Sequence, residues 1–382
     1  MVNAITILSL LYILYLCFEY RYLKYHRKKI KYVIHINGTR GKSTVCRLID
    51  AGLRAGGYKV FTKTTGTSPR IIDVNRVEQE INRQGKANIR EQIKAVHWAA
   101  RQKADILIVE CMAVKPELQR ICEQRILTAD ITAITNVRED HLDEMGKSLD
   151  SIAYSLSNTI PSNAVFFTAD SDYFPFFQQL CNTKHTQAFL SDEIQEYYRE
   201  VDFPENVALA LAICRFLSVD TTQAFAAMKT YYKDPGSLKV LSYCNAKGST
   251  LFFINTLAAN DPVSTKIILN NCMTKNYWQH KKYLLINNRA DRLSRMEQYM
   301  NFTAKHQQLF DIILISGENK QLFYKYLIRQ RVERTKILMM TDDAYFDTVG
   351  SDAVIFAAGN ICKSGKRLTD YFESKGTVIH DT

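Results

Sequence analysis

A glycine-rich loop that carries a lysine and neighbouring hydroxyl groups follows the first apolar run after residue 31. Its glycines let backbone N–H groups approach an anion, and the start of the following helix adds a partial positive charge. Lys42 is placed to reach the phosphates of ATP, and the Ser43 hydroxyl is placed to ligate magnesium. The residues predicted to bind ATP in this loop are Gly38, Thr39, Arg40, Gly41, Lys42, Ser43 and Thr44. The order of apolar run, loop and periodic helix favours a phosphate-binding loop over an incidental glycine-rich turn.

Two more candidate groups stand where apolar runs end. Glu110 follows one run, and Asn136, Asp140, His141 and Asp143 follow the next. The carboxyl ends of parallel strands meet at the ligand-binding edge of a sheet, so these groups are expected beside the phosphate loop. Oxygen and imidazole groups beside a triphosphate suit magnesium-assisted phosphoryl transfer, and Asn136 is a candidate nucleotide contact. Taken alone, Glu110 would be an ordinary strand-end carboxylate, and His141 a hydrogen-bonded structural histidine.

Short apolar runs alternate with amphipathic stretches through the rest of the chain, which is the pattern of an α/β protein. In the first part the predicted strands are 32–36, 58–62, 105–109, 131–135 and 164–167. The predicted helices of that part are 43–55, 88–103, 116–126 and 204–217. After a turn at Pro235-Gly236, strands are predicted near 251–255, 283–287, 311–315, 336–340 and 353–357. We therefore predict an anchor and basic segment at 1–31, an ATP-binding domain at 32–233 and an α/β domain at 234–382.

Composition limits the classes of partner. The chain has 382 residues, enough for two or three domains, and its 46% hydrophobic and 23% charged content is ordinary for a globular protein. The net charge of +11 is concentrated, because residues 21–31 hold six Lys or Arg and no acid. Basicity confined to one segment does not predict a nucleic-acid partner. The nine cysteines form no Cys-x-x-Cys pair, which favours reduced thiols in a reducing compartment.

The amino-terminal segment is a nearly uninterrupted apolar run over residues 4–18. With Val2 it reaches about 17 residues, the lower limit for a membrane-spanning helix. The basic residues follow the run, whereas a cleaved signal peptide carries its charge before it. By the positive-inside rule we predict a single-pass anchor in the cell inner membrane, with the catalytic domains in the cytoplasm. The alternative is a buried helix of the soluble part.

The three strand-end elements, taken in this order, resemble the Mur ligase superfamily of ATP-dependent amide ligases. The loop supports the resemblance, because Ile36 stands where most phosphate loops carry their first glycine. Finer motifs are similar to the ATP-binding ligase subunit of bacterial poly-γ-glutamate synthase, the CapB/PgsB family. These motifs are Lys63-Thr64-Thr65-Gly66-Thr67, Asn88-Ile89-Arg90-Glu91-Gln92, Glu110-Cys111-Met112-Ala113-Val114, Asp234-Pro235-Gly236, Ala258-Ala259-Asn260-Asp261 and Asn288-Arg289-Ala290-Asp291-Arg292.

The resemblance implies a Mur-ligase-like phosphate-loop domain followed by a smaller Rossmann-like α/β domain. It implies ATP and Mg²⁺ as cofactors, with Lys42 on the γ-phosphate, Ser43 and Glu110 on a first magnesium and His141 on a second. It also implies that Thr65 and Thr67 lie in a loop that approaches substrate or phosphate. Contacts to nucleotide or acyl phosphate are implied for Asn260, Asp261, Asp291 and Arg292.

The implied activity is the joining of glutamate through γ-amide bonds into poly-γ-glutamate. The implied partners are glutamate, its polymer, the membrane and other membrane subunits of the synthase, and self-association is left open. Two alternatives remain: a Mur or folylpolyglutamate-type ligase that adds one amino acid to a folate-like or cell-wall precursor, and a membrane-tethered export ATPase.

One position departs from the superfamily. Many relatives carry a lysine, as its carbamate, on the helix that follows the Asp-His-Leu-Asp string, and Leu156 stands at that place here. Leucine cannot ligate a metal. We therefore expect any second magnesium to be held by His141, Glu110, phosphate oxygens and water.

Overall fold

The computed structural model describes residues 2–66, 69–83, 85, 87–233, 238–259, 261–361 and 363–379. It divides the chain into two units, Met1–Asp234 and Pro235–Thr382. Among the positions singled out above, Thr67, Asn260 and the Asp234-Pro235-Gly236 turn lie outside the described residues.

The first helix, α1 (Val2–Arg27), differs sharply between its two ends. The large apolar side chains of its first half are exposed, and the segment Ile5–Arg27 is long and apolar enough to cross a membrane. At the other end Leu23 is buried, and Arg27 pairs with Asp130 at 2.7 Å. The exposure of the apolar half of α1 contradicts the alternative prediction of a buried helix. The basic end of α1 packs against the first unit.

An eight-stranded sheet forms the first unit, in the order β4-β3-β2-β5-β1-β6-β7-β8. Its strands are β1 (Tyr32–Asn37), β2 (Val60–Thr64), β3 (Arg70–Ile72), β4 (Glu78–Glu80), β5 (Ile106–Glu110), β6 (Ile131–Ile134), β7 (Val165–Thr168) and β8 (Gln187–Leu190). All neighbours are parallel except at one edge, where β3 pairs antiparallel with both β2 and β4. The five predicted strands are present, and β3, β4 and β8 are additions.

Helices cover both faces of this sheet. They are α2 (Lys42–Ala55), α3 (Glu91–Arg101), α4 (Pro116–Ile121), α5 (Leu142–Met145), α6 (Leu149–Leu156), α7 (Phe174–Thr183), α8 (Pro204–Phe216) and α9 (Thr221–Met228). Helix α2 presents Val45, Leu48, Ile49 and Leu53 at helical spacing, and these side chains pack with α8 in one apolar core. Val96 and Ala99 of α3 belong to a separate core.

The predicted helix 116–126 is interrupted. It is α-helical over Pro116–Ile121 and π-helical over Cys122–Leu127. A π turn inserts a residue and redirects the side chains around it. Within that turn Glu123 accepts a 2.7 Å hydrogen bond from Nδ1 of His35, and both side chains are buried. The π turn thus forms a buried ion pair with β1, between Glu123 and His35.

The second unit is built on a seven-stranded sheet in the order β13-β12-β11-β14-β10-β9-β15. Its strands are β9 (Lys239–Cys244), β10 (Thr250–Asn255), β11 (Lys281–Asn288), β12 (Ile312–Gly317), β13 (Ile337–Met339), β14 (Ala353–Gly359) and β15 (Thr377–Val378). Its helices are α10 (Pro262–Cys272), α11 (Leu293–His306), α12 (Lys320–Arg329) and α13 (Ser364–Lys375). The predicted strands form the parallel centre, and β9 and β15 add an antiparallel edge.

Replacing Glu123 by Gln is expected to destabilise the first unit by roughly 3–5 kcal/mol, because it leaves a buried imidazolium without its partner. Burial lowers the pKa of His35, but interactions with the Cys111 thiol and Glu123 outweigh it and raise that pKa from 6.5 to about 10. A raised pKa means that the pair stabilises the fold fully below pH 6.5 and progressively less as the pH rises toward 10.

Melting temperatures from pH 6 to 10 check this, with Glu117→Gln on the exposed side of α4 as the control. The difference between wild type and Glu123→Gln should narrow as the pH rises. A difference that is constant or that widens contradicts the assignment.

Candidate active site

The loop between β1 and α2 can be built only with glycine at two positions. Gly38 has a φ of 126°, and a Cβ there would lie 2.1 Å from the Thr135 hydroxyl oxygen. Gly41 has a φ of 78°, and its Cβ would lie 2.6 Å from Oδ1 of Asn206. Gly41 is also the N-cap of α2 and has no side chain to offer the first N–H groups of that helix. Those N–H groups are left for an anion.

Asn136 braces the loop from the end of β6. Its Oδ1 accepts hydrogen bonds from the Thr39 hydroxyl at 2.7 Å and from the Arg40 N–H at 3.1 Å. Its Nδ2 donates to the Arg40 carbonyl at 3.1 Å, and Thr135 donates to the same carbonyl. In this arrangement Thr39, Arg40 and Asn136 hold the shape of the loop, a role that the sequence prediction of nucleotide contacts did not include.

Lys42 lies over the loop that it follows. Its ammonium donates to the Gly38 carbonyl at 2.7 Å and to the Thr39 carbonyl at 3.3 Å. These are neutral acceptors, and a phosphate oxygen forms a stronger, charge-assisted bond with the same ammonium. Ser43 and Thr44 follow in the first turn of α2, where both are partly exposed. The lysine is therefore held at the place where an anion would meet the helix N-terminus.

Glu110 joins the loop to the end of β5. Its Oε2 accepts a 2.8 Å hydrogen bond from the Ser43 hydroxyl and a 2.5 Å bond from the Thr65 N–H. Strands β1 and β5 are parallel neighbours with Ile36 opposite Glu110, so the carboxylate emerges beside the loop. The structure thus brings Ser43 and Glu110 together, as predicted, and places the backbone of Thr65 at the same point.

The Ser43 and Glu110 oxygens fit a divalent cation that arrives with its nucleotide. Across the described residues, no group of three His, Cys, Asp or Glu side chains is arranged to hold a metal by itself. Magnesium commonly takes one or two carboxylates and completes its shell with substrate phosphates and water. A serine hydroxyl and a carboxylate beside a phosphate loop are a suitable pair of protein ligands for that kind of shell.

His141 lies on the other side of the loop, after β6. It has a φ of 47° and serves as the N-cap of the short helix α5. Its Nε2 is 3.7 Å from the Asp140 carboxylate, which in turn is 3.4 Å from the Arg40 guanidinium. The structure therefore links His141 to the phosphate loop through Asp140. The role of His141 as a metal ligand stays a prediction.

Leu156 offers no ligand at this edge. It is the last residue of α6, and its side chain is fully buried in an apolar cluster with Ile152, Phe166 and Phe177. That Leu156 occupies the place of the superfamily's carbamylated lysine stays a prediction.

The remaining predicted residues lie in the second unit. Asp261 is 3% exposed and caps α10, where its Oδ1 accepts from the Ser264 N–H at 2.8 Å. Asp291 pairs with Arg289, which lowers the pKa of that carboxyl below its usual value. Arg292 is the N-cap residue of α11 and lines a small pocket together with Asn287 and Met296.

Sequence reasoning assigned no role to three residues beside Glu110. Gln92 is fully buried and donates to the Glu110 carbonyl at 3.0 Å. Lys63 is buried at the end of β2, with its ammonium 3.5 Å from the Glu91 carboxylate. Two features of the sequence could have drawn attention to these residues: Lys63 is a charged residue in a strand, and Glu91 and Gln92 are adjacent at the start of a helix. Their proximity depends on a fold that brings β2, β5 and α3 together.

Comparison with protein-family models assigns both units. Residues 36–208 match the model of the Mur ligase middle domain. Residues 240–375 match the model of the poly-γ-glutamate synthase CapB C-terminal domain. The two matches together span most of the chain and place a different family model on each unit.

Two curated proteins are similar along most of their length. The chain is 36% identical to the capsule biosynthesis protein CapB of Bacillus anthracis over 326 residues, which cover 83% of this chain and 70% of the relative. It is 35% identical to the PGA synthase CapB of Bacillus subtilis over 312 residues, which cover 79% of each protein.

Among solved structures, the bifunctional folylpolyglutamate synthase/dihydrofolate synthase of Yersinia pestis, complexed with AMPPNP and a Mn ion, has a TM-score of 0.68. It is 16% identical, and the match covers 92% of each chain. At this identity the likeness shows the fold.

Replacing Gly38 by Ala is expected to weaken binding of a fluorescent ATP analogue by about tenfold or more. The added Cβ would meet Thr135, and the backbone conformation at Gly38 disfavours any side chain. Gly57→Ala is the matched control, because Gly57 also has a positive φ but a Cβ there meets no atom within 4 Å. Equal affinities in Gly38→Ala and wild type would contradict the role given to the loop.

Proposed function

We propose that this chain, which belongs to the CapB family, makes poly-γ-glutamate by joining glutamate through γ-amide bonds. Family membership and the Mur ligase middle domain make the protein an ATP-dependent amide ligase. The observation that carries the proposal is the 2.8 Å contact between Ser43 and Glu110 beside a phosphate loop that only glycines can form.

The proposed mechanism activates a carboxylate as an acyl phosphate. A carboxylate does not react with an amine directly because its oxygen is a poor leaving group, and phosphorylation by ATP removes that obstacle. The loop N–H groups and Lys42 would hold the phosphates, while Ser43 and Glu110 would hold Mg²⁺. The cation would supply charge neutralisation on the transferring phosphoryl group. His141 is proposed for a second magnesium.

The amine of the incoming glutamate then attacks the acyl carbon, and phosphate leaves as the amide forms. This chemistry requires no side-chain nucleophile, so positioning and electrostatic stabilisation carry the reaction. Contacts of Asn260, Asp261, Asp291 and Arg292 with nucleotide or acyl phosphate remain predictions from the family resemblance.

The proposed location is the cytoplasmic face of the inner membrane. The exposed apolar side chains of α1 suit a lipid environment. The cations that follow them, from Arg21 to Lys31, suit the cytoplasmic side. A single short helix cannot form a channel for a polymer, and therefore we propose other membrane subunits of a synthase as partners near residues 1–31.

Two other functions make different predictions for phosphate release. A ligase that adds one amino acid to a folate-like or cell-wall precursor would release phosphate only when that precursor is present. A membrane-tethered export ATPase would release phosphate without regard to glutamate or its polymer.

In the presence of membranes and the other synthase subunits, ATP turnover should depend on glutamate or its polymer. Lys42→Ala should reduce that turnover at least ~100-fold, because it removes the loop cation from the transferring phosphoryl group. Lys59→Met, at an exposed position, serves as the charge control. Phosphate release that is independent of glutamate would contradict the ligase proposal.

Deleting residues 1–18 should release the protein from membranes. The remaining basic segment should retain only weak, salt-sensitive adhesion of about 1 kcal/mol per charge near anionic lipid. Sedimentation with membranes at low and high salt measures this. If the truncated protein still sediments in high salt, the apolar half of α1 is not the principal anchor.

A further inference from the structure

A buried lysine stands at the end of β2, beside the proposed metal site. Lys63 is 1% exposed, with its ammonium 3.5 Å from Oε2 of Glu91 and 3.7 Å from the Met112 sulfur. Burying an ammonium is costly unless charges and hydrogen bonds compensate it. A lysine held in this way connects three segments, namely β2, the start of α3 and the residues after β5.

Glu91 does not depend on Lys63 for a partner. Its carboxylate accepts two hydrogen bonds from the Arg83 guanidinium, at 2.7 and 3.0 Å. This bidentate pair is a strong geometry and would satisfy Glu91 in the absence of Lys63. The need to neutralise Glu91 therefore does not explain why a lysine is buried at position 63.

A second carboxylate, that of Glu110 at the end of the adjacent strand β5, also interacts with Lys63. Lys63 pairs in register with Val109, the residue before Glu110. Burial lowers the pKa of Lys63, and the carboxylates of Glu91 and Glu110 raise it in part. The Lys63 ammonium thus lies within the electrostatic reach of the carboxylate that binds Ser43 and Thr65.

The first turn of α3 and the residues after β2 both hold Glu110 in place. Gln92, next to Glu91, donates to the Glu110 backbone carbonyl at 3.0 Å. Thr65, two residues after Lys63, donates its N–H to the Glu110 carboxylate at 2.5 Å. The main chain and the side chain of Glu110 are consequently held by segments that Lys63 ties together.

We propose that Lys63 is a positioning residue for the metal and nucleotide, fixing Glu110 and the Thr65 N–H in the arrangement that receives the cation. The proposal rests on the proposed function, in which Ser43 and Glu110 hold that cation. Lys63 acts through Glu110 and does not touch the reacting atoms.

Titration of full-length protein with Mn²⁺ in the presence of ADP, followed by electron paramagnetic resonance, tests this directly. Lys63→Met should weaken Mn²⁺ binding about tenfold or more, the usual effect of removing a group that orients a metal ligand. Lys63→Arg should restore part of the loss. Lys59→Met removes a positive charge from an exposed position just before β2 and should leave Mn²⁺ binding unchanged.

A role limited to packing is distinguished by a second variant. Glu110→Gln should itself weaken Mn²⁺ binding, and adding Lys63→Met to it should cause little further loss. Unchanged or tighter Mn²⁺ binding in Lys63→Met overturns the proposal. So does an equal loss in the wild-type and Glu110→Gln backgrounds.

Ligase assays separate this proposal from the proposed function. Intact glutamate-dependent turnover with Mn²⁺ binding that is insensitive to Lys63 would overturn only the positioning role. Mn²⁺ binding that depends on Lys63 in a protein that never incorporates glutamate would support the positioning role and reject the proposed function.

Discussion

One buried carboxylate fixes the arrangement of the site. Glu110 is 3% exposed, and a carboxylate withdrawn from water is costly unless donors meet it. The Ser43 hydroxyl and the Thr65 N–H meet it at 2.8 and 2.5 Å. Because these donors belong to α2 and to the residues after β2, a single side chain sets three segments relative to one another. The Ser43 hydroxyl oxygen and the Glu110 carboxylate oxygen, which share a hydrogen bond here, are the protein atoms proposed to bind the cation.

The sheet order explains why the supporting charges lie where they do. Strand β5 lies between β2 and β1, and both Lys63 and His35 are in register with Val109. Each of these buried cations has its own glutamate, Glu91 for Lys63 and Glu123 for His35. The end of β5 is thus flanked on both sides by ion pairs. Such pairs contribute little net stability but are costly to break, which suits a role in fixing position.

Sequence reasoning succeeded where a local pattern determines the structure. The phosphate loop, the strand ends and the apolar half of α1 follow from residue type and short spacing. It could not anticipate β3 and β4, because three-residue strands carry almost no periodic signal. It also missed the brace formed by Asn136 and the position of Lys63. Those roles depend on contacts between residues 28 or more positions apart, which only the folded topology creates.

The central claim is that ATP, bound beside Ser43 and Glu110, phosphorylates a carboxylate before an amide forms. Glutamate labelled with ¹⁸O in its carboxylates, supplied without any unlabelled polymer so that every activated carboxylate carries the label, tests this most directly, with the released phosphate analysed by mass spectrometry. An acyl phosphate intermediate transfers one carboxylate oxygen to phosphate, so one ¹⁸O per released phosphate is the predicted result. Phosphate without ¹⁸O, released at the rate of amide formation, would contradict the account.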